Sequence, residues 1–228
     1  SYEALFGKAS LYIGSDLRKH YEWQLEKLDE TVVLCKNDAN RYHFHTKVIY
    51  NPLTLTPGKQ AEGNSKKFLA IGRFSPQHKG FDLLIQAFNM FAKENKEWTL
   101  DLIGEGVEEP TYRDLINKYQ LQERISIHPF TSQIQKYYSS AHIYVLSSRW
   151  EGMPLVLMEA MSHGLPIVSS DLPVSKEIMG DFGLYFENGN VEKLAEQMIA
   201  ATQIDWKKKS EEAIEIAKNI IEKNKISC

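Results

Sequence analysis

Cysteine is scarce in this 228-residue sequence: Cys35 sits in an apolar run and Cys228 is the last residue. Two cysteines so far apart make no disulfide framework, which points to a reducing compartment such as the cytoplasm. No Cys/His set has zinc spacing, and the seven histidines are scattered. No stretch approaches the roughly 20 apolar residues of a membrane span, and the N-terminus lacks a charged-then-apolar signal pattern. Excess positive charge is also missing. Lys and Arg number 27 against 30 Asp and Glu, a net charge of −3, so there is no general electrostatic pull toward nucleic acid or anionic membranes. Internal repeats and low-complexity tracts are absent. What the chain does have is 43% hydrophobic residues, ample for a packed core.

From Lys67 onward, short β-rich runs alternate with segments of helical spacing. Strands are predicted over 67–72, 98–104, 124–130, 141–148, 165–171 and 183–187. Helices are predicted over 81–94, 112–120, near 132–140, within 149–163, near 174–179, near 191–203 and over 207–224. Such alternation implies crossover connections and a parallel sheet covered on both faces, a Rossmann-like doubly wound α/β fold. The first fifty residues differ. An evenly charged helical stretch ends near Glu30, and TVVLCKND (31–38) and KVIYNP (47–52) look like strands. LTLTPGKQAEGNSKK (53–67) has the composition of a linker. The expected organisation is the tail of a preceding domain over 1–50, a linker over 51–66, and a ligand-binding domain with C-terminal helices over 67–228.

Ligands of open parallel sheets bind beyond the carboxyl ends of the strands, and the informative residues cluster there. In GRFSPQHKG (72–80), Gly72 permits a tight backbone, and Arg73 and Lys79 lie on a loop entering a helix. They read either as a phosphate clamp or as solvated loop charges. The two glycines of GEG (104–106) allow close backbone approach. In RWEGMPLVLMEAMSH (149–163), Pro154 suits a first helical turn, so Gly152 and Met153 offer backbone N–H groups to an anion. Glu151 stands at the lip of that site. Glu159 lies in an apolar helix, on one face with Leu155 and Ser162. It either takes two ribose hydroxyls, with Leu155 beside the ring, or is buried against a Lys or Arg. A dehydrogenase domain would need a G-x-G-x-x-G turn after the first strand, which GRFSPQHKG does not supply.

With GRFSPQHKG followed by EGMPLVLMEAMSHGLPIVSSD, the sequence resembles the C-terminal domain of retaining family 4 (group 1) glycosyltransferases of GT-B architecture. Their hallmark is a Glu, seven residues and a second Glu, matched here by Glu151 and Glu159. The resemblance runs from about Val48 to the C-terminus; Asn51-Pro52 matches the interdomain junction only in part, and SSDLPVSKEIMGDFG is shorter than usual. It implies that Arg73 and Lys79 bind the donor diphosphate beside Gly72, joined by the amides of Gly152 and Met153 with Pro154. It further implies that Glu151 contacts sugar hydroxyls and Glu159 the ribose. Arg73, Lys79 and Glu151 would carry the catalytic step. The loop His128–Thr131, with Pro129, Phe130 and Thr131, would hold the base mostly through backbone. His128 reads equally as a structural strand-end residue, and Trp150 as packing.

The implied activity is hexosyl transfer from a nucleoside-diphosphate sugar, with UDP-sugar as the expected donor, to a sugar, lipid-linked or other hydroxyl acceptor in polysaccharide or glycolipid biosynthesis. No cofactor is expected beyond this co-substrate. No metal is expected either, since the sequence has no Asp-x-Asp pair. The acceptor half should precede residue 1, so the chain alone is expected to bind donor without turning it over. Any peripheral contact with the inner face of the membrane would fall to that half. A non-catalytic nucleotide-binding scaffold is the alternative.

Overall fold

The computed structural model describes residues 25, 27, 28, 31–40, 42–49 and 60–226. The predicted helix ending near Glu30 and the Asn51-Pro52 junction lie outside those residues, apart from isolated positions. The main sheet has six parallel strands: β3 (Lys67–Ile71), β4 (Thr99–Ile103), β5 (Ile125–His128), β6 (Ile143–Leu146), β7 (Ile167–Ser170) and β8 (Leu184–Phe186). Helices α2 (Phe81–Ala92), α3 (Glu109–Lys118), α4 (Ile134–Ser140), α5 (Leu155–Ser162), α6 (Pro173–Met179) and α7 (Val191–Ala201) connect or follow them, and α8 (Trp206–Ile226) ends the described chain. This is the doubly wound α/β architecture that the alternation predicts, with strands shorter than expected at their ends.

Side-chain alternation explains why the sheet must be covered twice. Phe68 and Ala70 of β3, Leu100 and Leu102 of β4, and Ile143 and Val145 of β6 enter one core with α2, α3 and α7. Their neighbours Leu69, Ile71, Ile103, Tyr144 and Leu146 enter the other, with α4, α5, α6 and α8. A strand buried on both faces reads as a continuous apolar run, as IYVL does in β6. Within the first core Phe68 packs on Trp98 and Phe91 with ring centroids 4.8 and 5.1 Å apart, contacts in the favourable range for aromatic pairs.

Strand order is β5-β4-β3-β6-β7-β8. The chain runs outward from β3 through β4 to β5, then returns to lay β6 on the other side of β3. The direction of winding therefore reverses between β3 and β6, and a crevice opens beyond their carboxyl ends.

A second, two-stranded parallel sheet joins β1 (Thr31–Val33) to β2 (Thr46–Val48), with the short helix α1 (Lys36–Ala39) between them. The predicted strand over TVVLCKND thus ends early, and its second half is a bend and a helical turn. This unit leans on the larger one: Cys35 is buried within the second core, and the Lys36 N–H donates to Glu177 Oε1 of α6 at 2.8 Å. The expected linker over 51–66 is packed at its far end. Ala61 donates its N–H to the His163 carbonyl at 3.0 Å, and Gly63 lies against the Trp206 ring. Among the described residues no helix is long and apolar enough to cross a membrane.

Gly80 sets the height of the loop between β3 and α2. Its φ of 64° is left-handed, and a Cβ there would sit 2.0 Å from the Ser147 carbonyl oxygen at the end of β6. Gly189 has φ 85° with nothing within 4 Å of such a Cβ. Gly189→Ala should therefore cost only the backbone term of about 1–2 kcal/mol. Gly80→Ala should cost clearly more, because the backbone at the start of α2 and that at the end of β6 must part. Urea unfolding of both variants checks this, and equal losses would show that the close approach carries no weight.

Candidate functional site

The loop after β3 is anchored before it reaches the crevice. Gly72 donates its N–H to the Ile103 carbonyl at 3.0 Å, Phe74 donates to Glu105 at 2.9 Å, and the Phe74 carbonyl accepts from Glu108 at 3.1 Å. The Phe74 ring is fully buried against Phe81 and Tyr112, with centroids 5.5 and 5.3 Å away. Arg73 between them is exposed, and its side chain has no partner among the described residues. Lys79 turns back over Gly72, where any Cβ would meet its methylenes at 3.0 Å. Its Nζ lies 2.6 Å from Glu151 Oε1.

Glu151 comes from the loop after β6, and its side chain is 7% exposed. Such a carboxylate needs a cation and further donors. Lys79 supplies the first, and the Ser148 hydroxyl donates to the same Oε1 at 2.6 Å. The loop itself is clamped on three sides. Arg149 makes a two-pronged bond to Asp82 in the first turn of α2, at 2.9 and 2.6 Å. It also donates its N–H to the His78 carbonyl at 2.8 Å and accepts from Asn188 Nδ2 at 2.7 Å. The Asp82 hydrogen bond is the main reason the Arg149 pKa is raised. Trp150, expected to serve as packing, lies face to face on His78, with centroids 4.8 Å apart and planes 11° from parallel.

The helix that follows begins one residue later than Pro154 suggests. Pro154 is the N-cap of α5, with φ −75° and ψ 87°, rather than its first helical residue. The chain makes a tight turn there, in which Leu155 donates its N–H to the Met153 carbonyl at 2.9 Å. Among the described residues the N–H groups of Gly152 and Met153 have no backbone acceptor.

Of the two readings of Glu159, the burial against a Lys or Arg is not what the structure shows. Among the described residues no Lys or Arg pairs with it; the Tyr138 hydroxyl of α4 donates to its Oε2 at 2.7 Å. Tyr138 is fully buried, and burial is the main cause that pushes its pKa well above the ordinary value, so its hydroxyl keeps its proton as a donor. The ring stacks on His163, 5.0 Å away. His163 Nδ1 donates to the Glu159 carbonyl at 2.8 Å, and the Ser162 hydroxyl donates to it at 2.7 Å. Both ends of Glu159 are thus held by protein, while the side chain remains part-exposed.

The loop after β5 lies two strands from β3. Pro129 and Phe130 are exposed, and Thr131 caps the next turn by accepting the Gln133 N–H at 3.1 Å. His128 serves the strand end: its carbonyl accepts from Gly104 at 2.9 Å, and its Nε2 lies 3.5 Å from Asp101 Oδ1. The buried Asp101 is itself paired with Lys67 at 2.9 Å. The fold therefore gathers Gly72, Arg73, Lys79, Glu151, Gly152, Met153 and Pro154 at the reversal point. Leu155 and Glu159 stand just behind, and Pro129, Phe130 and Thr131 stand on the flank. Reading the sequence missed Tyr138, Asp82 and the serines that tie the strand ends. Ser147 Oγ donates to the Lys79 carbonyl at 2.8 Å and Ser170 Oγ to the Ser148 carbonyl at 2.7 Å. The repeated Ser-Ser pair closing two apolar runs was the available signal.

Loop glycines and cations thus stand at the winding reversal, with Glu151 beside them and Glu159 on the helix that follows. Residues 55–220 match the family model described as "Glycosyl transferases group 1". The chain belongs to this family. It is 35% identical over 150 residues to an uncharacterized glycosyltransferase of Haemophilus influenzae, covering 64% of this chain and 42% of that protein. It is 32% identical over 192 residues to the amylovoran biosynthesis glycosyltransferase AmsD of Erwinia amylovora, covering 77% and 54%. The chain thus spans about half the length of these relatives. In fold it is similar to the pneumococcal O-GlcNAc transferase GtfA, solved with UDP and GlcNAc, with a TM-score of 0.73 at 22% identity over 92% of this chain and 47% of that one. HepE of Anabaena, solved with UDP and glucose, gives a TM-score of 0.74 at 20% identity over 85% and 60%.

The Tyr138–Glu159 bond is open to a double-mutant cycle. Tyr138→Phe leaves a part-buried carboxylate without its donor and should cost about 1–3 kcal/mol of folding stability. Glu159→Gln still accepts from Tyr138 and should cost less. Unfolding of Tyr138→Phe, of Glu159→Ala, which removes the acceptor, and of the Tyr138→Phe/Glu159→Ala pair should give a coupling of at least about 0.5 kcal/mol; strict additivity would show that the bond holds nothing.

Proposed function

We propose that this chain is the donor-binding part of a retaining glycosyltransferase that moves a hexose from a UDP-sugar to a hydroxyl acceptor in polysaccharide or glycolipid synthesis. The observation that carries it is the joining of Lys79 and Glu151 at 2.6 Å across the reversal point, with the exposed Arg73 and the Gly152 and Met153 amides beside them. A leaving diphosphate develops charge as the anomeric bond breaks, and fixed positive groups aimed at that charge are the main catalytic resource. Arg73, Lys79 and the two amides are such groups, which makes the transfer metal-independent on this reading. Glu151 then accepts hydrogen bonds from sugar hydroxyls. Glu159, held by Tyr138, accepts from the ribose through its other oxygen.

In the step itself the carbon–oxygen bond to the diphosphate breaks with its electron pair leaving on the phosphate. The acceptor oxygen bonds to the anomeric carbon on the same face, and the acceptor proton passes to the departing phosphate oxygen. The acceptor site belongs to a second domain facing the crevice. The reading draws support from relatives named for amylovoran and O-antigen biosynthesis and from similar structures solved with UDP bound.

Calorimetry with UDP, GDP and ADP tests it. UDP should bind best, unaffected by EDTA and more weakly as salt rises. Arg73→Ala and Glu159→Gln each remove a charge-assisted hydrogen bond, which should weaken UDP by about 10- to 150-fold. Failure of all three nucleotides to bind overturns the function, and a strict magnesium or manganese requirement overturns the metal-independent step.

A further inference from the structure

The protein uses the Glu159 carboxylate at one oxygen only. Oε2 accepts the Tyr138 hydroxyl at 2.7 Å, while Oε1 has no partner among the described residues. An ionised carboxylate offers about four lone-pair sites, so most of its accepting capacity is left over. The side chain is half-buried, not sealed in the core.

Tyr138 does not need so costly an acceptor. Tyr144, equally buried, turns its hydroxyl to the neutral Ile71 carbonyl at 3.4 Å. A carboxylate on an apolar helix, with no Lys or Arg paired to it among the described residues, is the more expensive way to satisfy one hydroxyl. Tyr138 is also firmly held. Its ring stacks on the buried His163 at 5.0 Å and lies 6.1 Å from the ring of Tyr144. Below it, the side chains of Ser162 and His163 bond the Glu159 carbonyl at 2.7 and 2.8 Å. With the backbone of Glu159 and one of its oxygens fixed, the place of the other oxygen is fixed as well.

The chemistry of that oxygen limits what it takes. It only accepts, and it repels phosphate, so its ligand must bring O–H or N–H donors. Its lone pairs can receive two neighbouring hydroxyls at once. Resting on the donor-binding function above, we propose that Tyr138 is a positioning residue that makes the site select a ribonucleotide over its 2′-deoxy counterpart. By holding Oε2 it aims Oε1 at the vicinal hydroxyls of the ribose, and it touches no ligand itself.

A residue that merely fills the core would alter affinity for both nucleotides alike, so the ratio between them is the test. Affinities for UDP and 2′-deoxy-UDP are measured by calorimetry on the wild-type chain, Tyr138→Phe and Glu159→Asp. The wild type should prefer UDP about tenfold, the effect of one hydrogen bond to a charged group. In Tyr138→Phe the preference should fall to about threefold or less, with UDP losing more than 2′-deoxy-UDP. Glu159→Asp keeps the charge but draws the carboxylate back from Tyr138, and it should lower the preference in the same way; it decides the matter if Tyr138→Phe does not fold. A preference that stays whole in a folded variant, an equal loss of both nucleotides, or a wild-type chain that binds both equally overturns the assignment of Tyr138. A wild-type chain that binds neither overturns the donor-binding function, and this assignment with it.

Discussion

A carboxylate that is 7% exposed must be neutralised where it stands, and the ion pair of Glu151 with Lys79 is the constraint around which the crevice is arranged. Removing such a charge from water costs several kcal/mol, which only close, well-directed partners offset. Those partners come from different parts of the chain: Lys79 from the loop after β3, and Ser148 from the end of β6. Bringing them to 2.6 Å requires the two loops to approach closely, and Gly80 against the Ser147 carbonyl is how the backbone permits it. The Arg149–Asp82 clamp ties the loop that carries Glu151 to the first turn of α2 as well.

Much of the fold could be read because both faces of a parallel sheet are buried. IYVL and KFLAI have no polar face to confuse with a helix, and the helices between them have clear periods. Ends were less legible. The run TVVLCKND looks like one strand by composition, yet Cys35 turns into a core and the chain bends after Val33. At Pro154 the residue type suits either the first helical position or the cap, and the Leu155–Met153 turn decides for the cap.

In the site, the residues that stand near one another in sequence could be found, whereas their supports could not. Tyr138 lies on α4 and Glu159 on α5 with strand β6 between them, and nothing in IQKYYSS separates a tyrosine that props a carboxylate from one that fills a core. The same holds for Asp82, which reads as an ordinary acid in a first helical turn. Trp150 shows the limit of residue type: a large ring beside a loop acid suggests filling, and only coordinates show it parallel to His78. Spacing reveals groups that share one loop; it says little about contacts between elements brought together by the winding of the sheet.

The anchoring of Phe74 bears on how this loop can vary. Its N–H and carbonyl bond to Glu105 and Glu108 as though β3 and β4 ran on past their ends, and its ring is locked between Phe81 and Tyr112. An inserted residue between Gly72 and Phe74 would drag an aromatic side chain out of the interior. One between Ser75 and His78 would only lengthen a surface turn. A loop held in this way can change length only within a narrow window, bounded on one side by a buried ring and on the other by a glycine pressed against the end of β6.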